Sequence, residues 1–289
     1  MEVEKSMEVY LLKNNELKKE CLSMNNTFDK ETLLNYEHDT ELSMSTIFNV
    51  LSNKKVDYKT LGAFNSLSLQ NESQRANGIR VFDMSEITQD DLSEHFNIPR
   101  QTLLRNIKVL VDSGLIKKIP HPEKKRKFLY EIPQDNNGGC FTLIPQKQLK
   151  YMSVSLSSEC IKVYCHIRNK INMKQKNGEA IKISNKELIN IIGYSIKNTN
   201  QTSIIAIVQT LIDCGYINKI QERVSGDEHL KTENYYTLND WSKKNVKDEN
   251  NHKVLKEEIK KKQIDMEKIA EGNSSKSDND FIDKFYDPF

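Results

Sequence analysis

Residues 100–130 concentrate positive charge in a chain that carries almost none overall. They hold nine Lys or Arg side chains and two acids, whereas all 289 residues together have a formal net charge of +2. Arg and Gln can form paired hydrogen bonds with base edges, while Lys and Thr suit phosphate oxygens. The pattern favours contact with duplex DNA over a solvent-exposed charged hairpin. The candidate contact residues are Arg100, Gln101, Thr102, Arg105, Asn106, Lys108, Lys117, Lys118, Lys124, Lys125, Arg126 and Lys127.

These residues follow a helix-start signal and run into a hairpin. Thr88 and Asp91 have the spacing of a capping box, in which the hydroxyl accepts from a backbone amide and the carboxylate reaches back to the cap. A second helix is predicted to end at Gly114, and the strands LIKKI and 127–132 follow. Its predicted apolar face is Leu103, Leu104, Ile107, Leu110 and Val111. This is the element order of a winged helix-turn-helix.

The same unit occurs a second time. Residues 110–119 read LVDSGLIKKI and residues 211–220 read LIDCGYINKI, with six of ten positions identical. The second copy has its own capping-box spacing at Ser184 and Glu187, its own glycine at Gly215 and a returning strand over 234–238. Its predicted apolar face is Ile204, Ile205, Val208, Leu211 and Ile212. Candidate first helices lie at 59–70 and 157–171, so both copies have a complete set of elements.

The predicted fold class is therefore α+β, mainly helical, with two tandem winged helix-turn-helix domains and flexible N- and C-terminal extensions. The expected divisions are an N-terminal extension, two winged-helix domains, a charged helix, and a flexible linker with an acidic-aromatic tail. Their boundaries are 1–40, 41–135, 140–241, 242–271 and 272–289.

The second copy offers fewer charges than the first. Its wing, residues 221–233, holds two positive side chains against four acids, and a phosphate backbone would repel that balance. Asn and Gln could still read adenine edges. DNA contact and a protein–protein role both stay open for this copy; the protein–protein role would be dimerisation, which gives a homodimer, or docking between the two units. The candidate DNA contacts are Lys197, Asn198, Asn200, Gln201 and Thr202.

A segment ahead of the second copy carries a family resemblance. Residues 141–171, FTLIPQKQLKYMSVSLSSECIKVYCHIRNKI, resemble the entry into the N-terminal winged helix of replication initiators and DnaD-like replisome organisers from phages and plasmids. Residues 59–70 and 87–116 resemble the winged helix of replisome organisers as well. The resemblance implies a protein that binds an origin and recruits host replication proteins. The C-terminal helical domain of the replisome organisers is not evident in this sequence.

The chain ends in DFIDKFYDPF, which resembles the C-terminal tip of bacterial single-stranded-DNA-binding proteins. The resemblance implies docking on host replication proteins, with Phe in an apolar pocket and acids against a basic rim. Folding back onto the chain's own domains is the open alternative. The candidate tail contacts are Asp280, Phe281, Asp283, Phe285, Asp287, Pro288 and Phe289.

Several kinds of chemistry lack their residues. No glycine-rich phosphate loop is present, the six histidines are scattered, and no nucleophile–base arrangement stands out, so neither an enzyme nor a cofactor is expected. Cys160, Cys165 and His166 have no zinc-site spacing and are predicted to lie in a core. No apolar run is long enough for a membrane, and the N-terminus lacks the pattern of a secretory signal. Five unpatterned cysteines suit a cytoplasmic protein.

These observations predict a sequence-specific double-stranded DNA-binding protein that initiates plasmid or phage replication. A transcriptional regulator or plasmid-partition adaptor is the alternative within the same class. A protein–protein scaffold that never meets DNA is the alternative from another class, favoured by the acidic second wing and opposed by the charge of residues 100–130.

Overall fold

The computed structural model describes residues 30–38, 40–70, 77–134, 140–173, 180–223 and 232–239. All of them belong to one compact unit that ends at Asn239. Helix α1, Lys30–Asn35, comes first. The predicted charged helix, linker and tail (residues 242–289) lie outside the described residues.

The first half contains the predicted winged helix and two elements ahead of it. Strand β1 and helix α2 come before the helix that the sequence placed at 59–70, which the structure forms over Tyr58–Ser66. The elements are β1 (Glu41–Ser45), α2 (Phe48–Leu51), α3 (Tyr58–Ser66), β2 (Ile79–Asp83), α4 (Gln89–His95), α5 (Arg100–Asp112), β3 (Lys117–Pro120) and β4 (Phe128–Pro133).

The second half repeats this order element by element. A strand and a helix again come first, and the elements of a winged helix, ending in a two-stranded wing, follow them. The elements are β5 (Phe141–Pro145), α6 (Gln146–Ser155), α7 (Ser158–Met173), β6 (Ile181–Lys182), α8 (Asn185–Ile191), α9 (Asn198–Asp213), β7 (Ile217–Arg223) and β8 (Thr232–Leu238). The duplication seen in ten residues therefore extends over the whole of each half.

Each half closes with a small antiparallel sheet, in the order β2-β4-β3 in the first and β6-β8-β7 in the second. In the first half the sheet packs on α3 through aromatic side chains: the Phe64 ring meets Phe82 and Tyr130 edge-on, at centroid distances of 5.0 and 5.1 Å. In the second half Tyr164 and Tyr216 meet at 5.8 Å. Edge-to-face packing suits aromatic quadrupoles and fixes the helix on its sheet.

Two contacts between the halves join equivalent positions. Strands β1 and β5 pair antiparallel, and Ser43 lies opposite Leu143, its counterpart in the other half. At the start of α3, the Tyr58 amide donates to the Ser158 hydroxyl (2.8 Å), and Ser158 is the corresponding residue of α7. Contacts between equivalent residues are the pattern that a two-fold arrangement produces. The halves are thus arranged like the subunits of a symmetric dimer.

The helix signals read from the sequence are largely present. Thr88 and Asp91 form the complete capping box. Ser184 accepts from the Glu187 amide as predicted, but the Glu187 carboxylate contacts His166 (2.7 Å) and Lys170 instead of reaching back to the cap. Gly114 and Gly215 adopt φ of +72° and +73°, the left-handed conformation expected after a helix.

Two predictions about buried surface need correction. Leu104 and Ile205 were assigned to the apolar faces of α5 and α9, but they are 40% and 53% exposed. Residues 30–38, assigned to an extension, pack against the body: Leu33 and Leu34 are buried, and the Tyr36 carbonyl accepts hydrogen bonds from α6. The apolar stripe of a helix is about three residues wide per two turns, and Leu104 and Ile205 fall outside it.

Candidate nucleic-acid interface

Helix α5 presents most of its predicted contact residues to solvent. The helix packs into the first half through Leu103, Ile107 and Leu110, which recur at helical spacing. Of the predicted contact residues on α5, Thr102 is half-buried and four are exposed: Arg100, Gln101, Arg105 and Lys108. Arg100 lies 3.3 Å from Asp90 in α4, a contact between two well-exposed groups that a phosphate could replace.

Asn106 is the predicted contact that the structure contradicts. It is 6% exposed, and its amide nitrogen donates to the Thr60 hydroxyl (3.0 Å) inside the fold. The hydrogen bond ties α5 to α3. The position of Asn106 in the sequence indicates its burial, because positions 103, 106, 107 and 110 share one helical face. An assignment by residue type alone misses this signal.

Leu104, which was predicted to be buried, lies on the exposed face of α5, where Asn106 was expected. It stands one helical turn from Arg100 and Lys108, among the polar side chains of this face. An apolar side chain at such a place can contact the methyl group of thymine. The exposed face of α5 therefore combines cations, an amide and one apolar group, which is the mixture needed to distinguish base pairs.

The wing between β3 and β4 carries the remaining cations. The Lys118 ammonium lies 3.8 Å from the centre of the Phe128 ring, and Lys117 pairs with Glu131 at 3.4 Å. Lys124 donates to the Ser85 hydroxyl (2.9 Å) and to Glu86. The hydrogen bond from Lys124 lowers the pKa of the Glu86 carboxyl below its usual value. The last three cations of the wing are exposed: Lys125, Arg126 and Lys127.

A buried histidine fixes the turn that carries these cations. His121 Nδ1 accepts from the backbone amides of Glu123 (3.1 Å) and Lys124 (3.0 Å), and Nε2 lies 3.6 Å from Asp83 in β2. With Nδ1 accepting, the ring proton of a neutral imidazole is on Nε2 and faces the carboxylate. Nothing in the sequence indicates this role, because His121 stands alone in its segment.

The second helix-turn-helix has a different surface. Lys197, Gln201 and Thr202 are exposed as predicted. The Asn200 amide instead donates to the Ser195 carbonyl (2.6 Å), so it closes the turn before α9. Ile205 adds an exposed apolar group. The side chain of Asn198 and residues 224–231 of the second wing lie outside the described residues.

Two of the cysteines are core residues, as predicted. Cys160 and Cys165 are buried in α7, and burial raises the pKa of their thiols to about 11 and about 12. A thiol with so high a pKa stays protonated near neutral pH and is a poor metal ligand. Within the described ranges, no group of three His, Cys, Asp or Glu side chains is placed to hold a metal ion. No described helix is long and apolar enough to span a bilayer.

Comparison with known proteins bears on the first helix-turn-helix. Neither the curated proteins nor the solved structures contain a match to this chain. Residues 79–127 match the model of the MarR family, and they run from β2 through α4 and α5 to the end of the wing turn. The match covers 49 of the 289 residues. The first half of the chain therefore contains a winged helix similar to that of the MarR family.

Proposed function

We propose that this chain is a sequence-specific duplex-DNA-binding protein that acts as a transcriptional regulator. The observation that carries the proposal is the exposed face of α5, with Arg100, Gln101, Arg105 and Lys108, inside a segment that matches the MarR family. A helix of this kind enters the major groove, where Arg and Gln read base edges. The cations of the adjoining wing bind the phosphate backbone on either side of the groove.

The test is fluorescence anisotropy against duplex fragments that tile the chain's own gene locus, repeated across a salt series. One fragment should bind far more tightly than the others, and its affinity should fall steeply with salt. Arg105→Ala should level this preference. Lys147→Ala is the matched control, because Lys147 is a partly exposed cation on α6 that pairs with Glu37 (2.8 Å), outside both helix-turn-helices.

Equal, weak binding to every fragment would leave only a nonspecific role for α5. Absence of binding at low salt would contradict the proposal and favour the protein scaffold. The affinity for fragments and its salt dependence thus separate the three cases.

A replication initiator is the second candidate. It rests on the joining of two helix-turn-helices in one chain, since a pair of reading units suits an origin with repeated sites, and on the resemblance of residues 141–171. The same fragments distinguish the candidates: preference for a promoter supports a regulator, and preference for tandem short repeats supports an initiator. Docking of the tail on host replication proteins stays a proposal. Its test is a pull-down of those proteins with the full chain and with a chain that lacks Tyr286 to Phe289.

A further inference from the structure

The second helix-turn-helix has a surface suited to base edges but few cations of its own. Among the described side chains of residues 195–205, Lys197 supplies the positive charge, while Gln201, Thr202 and Ile205 are exposed and uncharged. Non-specific attraction to DNA comes almost wholly from cations placed near phosphates. If α9 meets DNA, other elements must supply that attraction.

The first half of the chain reaches the turn of this second unit. Gly193 lies between α8 and α9 with φ of +76°, and a methyl group on it would overlap the Ser52 carbonyl oxygen at the end of α2. The Lys54 ammonium stands 4.6 Å from the centre of the Tyr194 ring. Residues 52–57, which we call the α2–α3 loop, therefore lie directly against the turn that precedes α9.

This loop is held firmly in place. The buried ammonium of Lys162 donates to the Asn53 carbonyl (2.8 Å), and the Lys55 amide donates to the Asn53 side chain (3.0 Å). Asp57 caps α3 by accepting from the Thr60 amide (2.6 Å). The loop is thus a fixed neighbour of the second helix-turn-helix rather than an occasional contact.

The loop brings two cations without an acidic partner to that position. Lys54, Lys55 and Lys197 are exposed, and among the described residues none of them is in an ion pair. Two acids are near: Asp57, which is engaged as a cap, and half-buried Glu159, whose charge adds to the effect of burial in raising the pKa of Tyr194. Positive charge exceeds negative charge on the exposed side of the loop.

The repeated halves allow this loop to be compared with the equivalent segment of the second half. The counterpart of the α2–α3 loop is residues 152–157, MSVSLS, which contain no charged residue. That segment meets the first helix-turn-helix: Lys59 donates to the Val154 carbonyl (3.4 Å) and the Asn97 carbonyl (3.5 Å) in the turn before α5. The unit that has its own cations thus lies beside an uncharged segment, to which Lys59 of the first half joins it, and the unit that has few lies beside two lysines.

We infer that Lys54 and Lys55 of the first half, together with Lys197, form the phosphate-binding part of a second DNA contact whose base-facing part is Gln201 and Thr202 on α9. The inference rests on the proposed function. It makes the DNA-binding surface a composite of both halves, in which removal of charge from one half weakens the contact made by the other.

The experiment uses the full chain and its preferred duplex, with the affinity measured across a salt series for wild type and Lys54→Gln/Lys55→Gln. Losing two phosphate contacts should lower the slope of log affinity against log salt by about 1.8. Hydroxyl-radical footprinting of this variant on the preferred duplex should lose one protected segment and keep the segment that α5 protects. Lys147→Gln is the control for the single change Lys55→Gln described below, since it removes one cation from α6, outside both helix-turn-helices.

Lys55→Gln alone guards against misfolding, because Lys54 packs on Tyr194 whereas the Lys55 side chain is exposed. It should lower the slope by about 0.9 with an unchanged melting temperature. An unaltered slope and footprint, with Arg105→Ala still levelling the preference, would overturn this inference and leave the proposed function standing. If the wild type shows no preference for any fragment, the proposed function and this inference are both wrong. A changed oligomeric state with an unaltered slope would make the loop a protein contact and the inference wrong.

Discussion

At the scale of single residues, the face on which a side chain lies decides whether its chemistry is available. Asn106 and Arg105 are adjacent polar residues of α5, yet Asn106 holds Thr60 inside the fold and Arg105 is exposed. Successive helix residues are rotated by about 100°, so neighbours in sequence face different surroundings. Residue type alone therefore placed a buried side chain among the candidate DNA contacts.

We expect Asn106→Ala to lower the free energy of unfolding by about 1–3 kcal/mol, because the Thr60 hydroxyl is left buried without its donor. Arg105→Ala should change stability by less than about 0.5 kcal/mol and weaken binding to the preferred duplex by about 1–3 kcal/mol. Urea denaturation and anisotropy measure the two quantities. An Asn106→Ala protein of unchanged stability that loses its DNA preference would restore Asn106 as a contact.

A second residue-scale prediction concerns Lys150, whose ammonium donates to the Tyr36 carbonyl (3.2 Å). Burial lowers the pKa of Lys150 to about 8, below the value of about 10.4 expected when unfolded. Between these values the unfolded chain binds more protons, so the contribution of Lys150 to stability rises with pH there.

The gain should be on the order of 1 kcal/mol, reduced from the full linkage value because the ammonium keeps some solvent. Urea denaturation at pH 7.5, 9 and 10 should show a smaller rise for Lys150→Met than for wild type. The difference between the two proteins isolates this group from other titrating side chains. Equal curves would mean that Lys150 titrates normally and that residues 36–38 are not held by it.

At the scale of elements, each helix-turn-helix is braced by the other half. The turn before α9 rests on Ser52, and the turn before α5 is bridged to Val154 by Lys59. A recognition helix that is braced in this way keeps a fixed direction, which lets a few side chains reach the same base pairs each time.

Gly193 tests this bracing, and Gly114 provides a control with nearly the same backbone angle. Both have φ above +70°, but a methyl group on Gly114 would meet open space, whereas on Gly193 it would overlap Ser52. Gly114→Ala should cost roughly 1–2 kcal/mol from backbone strain alone. Gly193→Ala should cost at least about 1–3 kcal/mol more, since backbone must move. Similar denaturation midpoints for the two variants would show that the turn does not rest on the first half.

At the scale of the whole molecule, the described residues form a single unit in which equivalent positions of the two halves meet. Strand β1 pairs with β5, and helix α3 packs on α6, where Gly62 gives the Ser153 side chain its space. These contacts cross between the halves, and they involve the elements at the start of each. The stability of either half therefore includes surface that the other half covers.

This arrangement predicts that residues 41–135 do not fold alone. The fragment would leave the β1 edge unpaired and expose the face of α3 that meets α6. Near-ultraviolet circular dichroism in urea should show no cooperative transition for it, and one transition for residues 30–239. Cooperative unfolding of 41–135 with the stability of the longer chain would mean that the halves are independent domains.

The sequence by itself determined the local elements of each helix-turn-helix. Capping residues, apolar spacing and the glycines at 114 and 215 act over a few positions, so Thr88, Gly114 and Gly215 could be assigned without knowing what lies around them. The same reasoning identified the exposed Arg100, Gln101, Arg105 and Lys108. Proximity along one helix was sufficient for these assignments.

Tertiary structure alone decided what depends on residues far apart in the chain. Antiparallel pairing of β1 with β5 joins segments 100 residues apart, and neither short strand shows its partner in its own sequence. The burial of Asn106, the role of His121 in the wing and the placement of Lys54 beside Tyr194 all follow from such long-range packing. Local sequence sets the elements, whereas the free energy of joining them depends on surfaces that only the folded chain brings together.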